Sequence, residues 1–112
     1  MSGVHLNRRL VLETPERVAD GAGGFAESWV ALGELWAEVR ARTGREKAGG
    51  AVALATVGYR ITVRAAPVGH STRPRPEQRL REGGRIFRIL AVTERDAAAR
   101  YLVCYADEEV AA

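Results

Sequence analysis

Thr56-Val57-Gly58-Tyr59-Arg60-Ile61-Thr62-Val63-Arg64-Ala65-Ala66 decides the fold class. Val57, Tyr59, Ile61, Val63 and Ala65 point one way, and Thr56, Gly58, Arg60, Thr62 and Arg64 point the other. A strict period of two is the mark of a strand with one face on a core and one in water. The same pattern recurs upstream, where Leu35, Ala37, Val39 and Ala41 alternate with Trp36, Glu38, Arg40 and Arg42. Leu6, Leu10 and Leu12 mark a first strand, with Arg8 interrupting its apolar face.

Downstream, Gly83-Gly84 is the strongest turn signal, because glycines supply the positive φ that two-residue hairpins require. It separates Gln78–Glu82 from Arg85–Thr93, where Ile86, Leu90 and Val92 fall on one face and Phe87, Ile89 and Ala91 on the other. Apolar residues on both faces predict a well-covered central strand. A last strand over Arg100–Ala106 pairs back across a turn at Arg95–Ala99. The expectation is a mainly β fold: a small antiparallel β-barrel of about six strands with long loops, one domain over residues 1–112.

Three stretches break the alternation. Thr14–Ser28 carries Pro15, Asp20-Gly21 and Gly23-Gly24 and reads as a long first loop. Gly44–Leu54 is rich in Gly and Ala and reads as a loop or a short helix. Pro67–Pro76 contains Arg73-Pro74-Arg75-Pro76, which favours extended, polyproline-like backbone.

The 112 residues, 46% hydrophobic and 28% charged, have the composition of a globular chain. No stretch approaches the roughly 20 apolar residues of a membrane helix, and the N-terminal residues lack a signal-peptide pattern. The chain is therefore expected in the cytoplasm of the producing cell. A single cysteine, Cys104, excludes an internal disulfide, and its apolar neighbours Leu102, Val103 and Tyr105 mark it as a packing residue.

Catalytic and metal patterns are missing from the sequence. His5 and His70 have no acidic or cysteine neighbours at ligand spacing, so no metal, cofactor or nucleophilic pair is expected. Gly44-Arg45-Glu46-Lys47-Ala48-Gly49-Gly50-Ala51 lacks the Lys-Ser/Thr that a phosphate loop carries after its second glycine. The chain is expected to be no enzyme. Its net charge is +3, and much of that excess is local: Arg64, Arg73, Arg75, Arg79, Arg81 and Arg85 are offset in their stretch only by Glu77 and Glu82. Such a cluster is a solvated face, a contact for DNA phosphates or a contact for acidic partner subunits. Asp107-Glu108-Glu109 forms an acidic end, read as solvated or as a docking patch. Trp36 falls on the polar face of its strand, so it either packs at a barrel end or edge or meets a neighbouring subunit.

The ordered set of landmarks resembles the phage head–tail joining family, whose members are also called head-closure, stopper or head–tail adaptor proteins. The residues that carry the resemblance are Leu6 with Arg8-Arg9, Asp20-Gly21 and Gly23-Gly24, Trp29, and Trp36-Ala37-Glu38-Val39. It continues through Gly44-Arg45-Glu46, Tyr59-Arg60-Ile61 and Gly83-Gly84-Arg85-Ile86-Phe87-Arg88-Ile89, and spans Leu6 to Asp107.

The resemblance implies a structural component of a phage, prophage or gene-transfer-agent particle, assembled in the bacterial cytoplasm. It implies a homo-oligomeric ring of six copies, with twelve as the alternative, between the portal or adaptor ring and the tail terminator. Packaged double-stranded DNA would run through the channel and be retained there. On that reading Gly44, Arg45, Lys47, Gly49 and Gly50 are candidates for a gating loop, and Arg73, Arg75, Arg79, Arg81 and Arg85 for DNA or inter-ring contact. Trp36 is the candidate subunit contact. The alternative of another class is a monomeric SH3-like or OB-like nucleic-acid-binding module.

Overall fold

The computed structural model describes residues 3–42 and 57–109. Six strands carry it: β1 (Arg8–Ala19), β2 (Phe25–Ala41), β3 (Gly58–Arg64), β4 (Arg79–Glu82), β5 (Arg85–Glu94) and β6 (Tyr101–Glu108). They form a closed antiparallel barrel in the order β1-β2-β3-β6-β5-β4, with β4 returning to β1. No helix occurs among the described residues. The mainly β barrel read from the alternation is the observed fold.

Register explains the core. Leu10 faces Leu35, Leu12 faces Leu80, and Leu80 faces Phe87 on the next strand. Ile61 faces Cys104, Val63 faces Leu102, and Ile89 faces Ala106. Directly opposed residues of an antiparallel pair share a face, so this register sends one apolar set inward from all six strands. Leu10, Leu12, Ala37, Ile61, Val63, Leu80, Phe87, Leu102, Cys104 and Ala106 are fully buried. Tyr59 meets Phe87 edge-on, with ring centroids 5.1 Å apart. Filled this way, the interior is a packed core and offers no channel.

Gly83 and Gly84 form the predicted two-residue turn between β4 and β5, Glu82 and Arg85 pairing at its base. Only Gly83 takes positive φ, at 59°.

Three expectations need correction. Thr14–Ser28 is not a long loop, because β1 runs on to Ala19 and β2 starts at Phe25. The turn is confined to residues 20–24, where the Asp20 carboxylate accepts from the amides of Ala22 (2.8 Å) and Gly24 (3.0 Å). Gly21 and Gly23 there adopt φ near 83° and 89°. Pro15 is accommodated because β4 pairs only with Val11–Glu13, leaving the outer edge of β1 unpaired beyond.

Next, β5 is not covered on both faces. Ile89 pairs with Ala106 and Ala91 with Tyr105, so Leu90 is the extra residue of a β-bulge. The bulge shifts the parity: Phe87 and Ile89 point in before it, and Val92 packs on the core after it. Leu90 is left 54% exposed. Finally, the first part of Pro67–Pro76 is not extended. His70 donates to Pro67 O and Arg73 to His70 O, two successive turns, and Pro74 is fully buried.

Beyond the barrel, Thr14–Ala19 pairs with Phe25–Val30 alone, since β3 pairs only with Ala37–Ala41. The β1–β2 hairpin therefore leaves the barrel as a two-stranded arm.

Candidate functional site

The arginine cluster is split by the fold. Arg79 and Arg81 lie on the outer side of β4 and close on one carboxylate, Glu13 of β1, at 2.7 and 2.9 Å. Burial pushes the Glu13 carboxyl up, but the hydrogen bonds from Arg81 and Arg79 outweigh it and leave it below its usual value. Arg79 also lies over the Trp29 ring, 4.0 Å from its centroid.

Arg85 sits elsewhere, at one mouth of the barrel. There Tyr59, Arg8, Glu82, Arg85 and Glu108 come from five strands with the parity of the core. Arg85 Nε donates to Glu108 Oε2 at 2.9 Å, and Tyr59 Oη donates to Glu108 Oε1 at 3.1 Å. Arg8 grips Glu82 with two donors, at 2.6 and 3.0 Å. The hydrogen bonds from Arg85 to Glu108 and from Arg8 to Glu82 hold both carboxyls below their usual value. This ionic layer covers Phe87, with the Arg85 guanidinium 5.0 Å from the ring centroid.

The other two arginines are unlike these. Arg73 donates to the Ala66 carbonyl at 2.7 Å, fastening its own loop. Arg75 is exposed, and its backbone amide donates to Gln78 Oε1. The structure thus brings together Arg79 and Arg81, but not Arg73, Arg75 or Arg85 with them. Gly44, Arg45, Lys47, Gly49 and Gly50 lie outside the described residues.

Trp36 points outward and is 54% exposed, beside a hollow lined by Leu6, Glu34, Leu35 and Arg64. Arg9 lies over its ring at 5.7 Å. Trp29 and Phe25 stand on the same outer side of β2, and Arg17 lies over Phe25 at 4.6 Å. Each aromatic of this stripe therefore carries an arginine: Arg17 on Phe25, Arg79 on Trp29 and Arg9 on Trp36. Trp and Arg are enriched at the energetic centres of protein interfaces.

A second outer surface lies on β3 and β6. Arg60 pairs with Tyr105, Thr62 with Val103 and Arg64 with Tyr101, all on the outward side. Arg42 lies 5.9 Å from the Tyr105 ring, and Arg64 and Arg95 lie 5.8 and 6.0 Å from that of Tyr101. Thr62 and Val103 floor a shallow groove of about 290 Å³ walled by Arg40, Arg60, Arg95 and Tyr105 and by the carboxylates of Glu38 and Glu94. The alternation around Ile61 places Arg60 and Arg64 on one face, but the tyrosines join them only through the register with β6.

Among the described residues no cluster of three His, Cys, Asp or Glu could hold a metal ion. Burial pushes the Cys104 thiol up to about 12, which removes it as a nucleophile at neutral pH. No described helix is long and apolar enough to cross a membrane. The barrel thus has a packed interior, an ion-paired mouth and outer faces on which arginines lie over aromatic rings.

The phage head completion protein family model matches residues 1–109, and the chain belongs to that family. Membership makes it a structural component of a phage-type particle. A chain in the virion of a native gene transfer agent particle is 64% identical to it, with 96% of this chain and 98% of that one covered and a TM-score of 0.79. A protein from Shigella flexneri 2a, solved in solution, shares the fold at 24% identity and a TM-score of 0.69, both chains covered completely. No curated protein matches the chain.

Proposed function

We propose that the chain is a ring-forming connector that completes the head of a tailed-phage-type or gene-transfer-agent particle, joining the portal side to the tail and retaining packaged DNA. The observation that carries this reading is the near-full-length 64% identity to a chain of a gene transfer agent virion. Geometry supports it on one point: a barrel interior filled by Leu10, Leu12, Ile61, Leu80 and Phe87 leaves no room for DNA. Any channel is then built between copies, which lends support to a ring of six or twelve. Its neighbours would be the portal or adaptor ring on one side and the tail terminator on the other.

In this proposal Arg75, the exposed member of the Arg73–Arg85 set, is the residue for DNA or inter-ring contact. Arg79, Arg81 and Arg85 serve the fold first, because Glu13 and Glu108 already hold them. That same neutralisation weighs against a monomeric module that would bind nucleic acid through this cluster, since such binding needs unpaired cations to displace counterions from phosphates. Trp36 remains the proposed subunit contact.

Deleting the gene in the producing strain tests the reading. Particles without the chain are expected to accumulate as tailless heads that have lost their DNA. Tailed, DNA-filled particles would refute it.

A further inference from the structure

The β1–β2 arm has the features of a docking element. Beyond Glu13 it consists of two strands only, and an isolated two-stranded ribbon is marginal in water. It nevertheless exposes Val18, Val30 and Phe25, the last 62% accessible. Its charge is acidic: Glu16, Asp20 and Glu27 stand against Arg17 alone, whose guanidinium lies over Phe25. A chain of net charge +3 has placed its negative end on this projection.

The complementary surface is the outer face of β3 and β6. It presents Arg60 and Arg64 with Tyr101 and Tyr105, beside a groove floored by Thr62 and Val103 whose walls also carry Glu94 and Glu38, the latter paired with Arg40. Among the described residues neither Arg60 nor Arg64 has a carboxylate within 4.0 Å. The arm cannot reach this face of its own copy. Trp36, the β2 residue level with Arg64, and Phe25 at the arm's end are separated by roughly 35 Å of strand at about 3.3 Å per residue.

We propose that the arm of one copy docks on the β3–β6 outer face of the next, Glu27 meeting Arg60 and Arg64 while Phe25, on the same face of the arm as Glu27, packs against Tyr101 and Tyr105. The inference rests on the ring reading above and deepens it. A contact between two different patches is heterologous, and repeated heterologous contacts close into rings when the rotation permits. The arm's acidity excludes a DNA backbone as its occupant, since phosphates repel it. Opposite charge fixes the orientation of docking, and the aromatic contacts supply the buried anchors.

Assembled particles carrying a photoreactive p-benzoylphenylalanine in place of Phe25 test the contact. Irradiation and peptide mapping are expected to join position 25 to residues 58–64 or 101–107 of another copy. Crosslinks to any other polypeptide, to DNA, or none between copies overturn the docking. Quantifying copies per particle separates the two levels: a single copy removes the ring and the docking together, whereas several copies with crosslinks elsewhere remove only the docking. Charge reversal gives a second measurement. Glu27→Arg and Arg64→Glu are each expected to lower incorporation into particles several-fold, and the combined variant to restore it. Unchanged incorporation in both single variants, with unchanged melting, overturns the proposal.

Discussion

Replacing Glu13 by Gln isolates the device that neutralises the arginine cluster. Glu13 is 7% exposed at its side chain and accepts from Arg79 and Arg81, which are 16% and 37% exposed. Breaking a buried ion pair costs about 3–5 kcal/mol, while a hydrogen bond to a charged group contributes about 1.5–3 kcal/mol. Arg81 is open enough to rehydrate, and Gln keeps one carbonyl oxygen as an acceptor. Arg79, held over Trp29, has no such escape. The loss therefore falls near the lower figures, at about 2 kcal/mol, or a drop in Tm of about 8 °C for a domain of this size. Thermal and urea unfolding followed by circular dichroism at pH 7 measure it. Glu34→Gln is the comparison: its partner Arg9 lies at 3.7 Å and both side chains are more than half exposed, so a change within about 0.5 kcal/mol is expected. If Glu13→Gln matched that small value, the ion cluster would not be structural. Arg79 and Arg81 would then be free for DNA, and the basic-patch reading would return.

Truncating Ile61 to Ala, in the core, should cost about 2–5 kcal/mol. Leu90→Ala, at the bulge, should cost less than about 1 kcal/mol; equal losses in urea unfolding would place the bulge elsewhere. The carboxyls of Glu13, Glu82 and Glu108 titrate lower in the fold than in the unfolded chain, so their stabilisation is complete above about pH 4.3. It is lost as pH falls through their folded values. Tm should stay level from pH 7 to about pH 5 and then drop, and the Glu82→Gln/Glu108→Gln variant should drop less between pH 5 and pH 3 than the parent. Cys104 should resist iodoacetamide at pH 8 until the chain is unfolded; rapid labelling of the native protein would contradict its burial.

What the sequence discloses and what it hides follow from range. The period of two around Ile61 is local, so it reveals the strand, its core face and the outward Arg60 and Arg64 without any knowledge of neighbours. Gly83-Gly84 is equally local. The arm was hidden because Thr14-Pro15-Glu16-Arg17-Val18-Ala19 is not buried on one face and so carries no clean alternation. The bulge at Leu90 imitates a strand that is apolar on both sides, which only the register with β6 distinguishes. Glu13 was invisible as the counter-ion because Arg79 and Arg81 lie 66 and 68 positions away. Trp29 and Trp36 are seven apart, an odd spacing that simple alternation assigns to opposite faces. The irregularity between Leu12 and Glu13, where Gly33 and Ala31 are the partners, brings them onto the same side.

Closure of the barrel also bears on how such a subunit associates. An open sheet can recruit a neighbour through unpaired backbone at its edge, a route with little sequence specificity. Here β4 returns to β1, which closes the sheet among the described residues and leaves short unpaired edges only where strands outrun their neighbours. Association is then expected to use side chains on outer faces, or places where strands run past the barrel. The longest such place is the arm, where Pro15 removes a donor from the β1 edge. Both routes depend on side-chain identity, and the chain sets carboxylates on the arm and arginines with tyrosines on the far face. A subunit that must join only its proper neighbours gains from this arrangement, because a wrong partner meets like charge or finds no aromatic anchor.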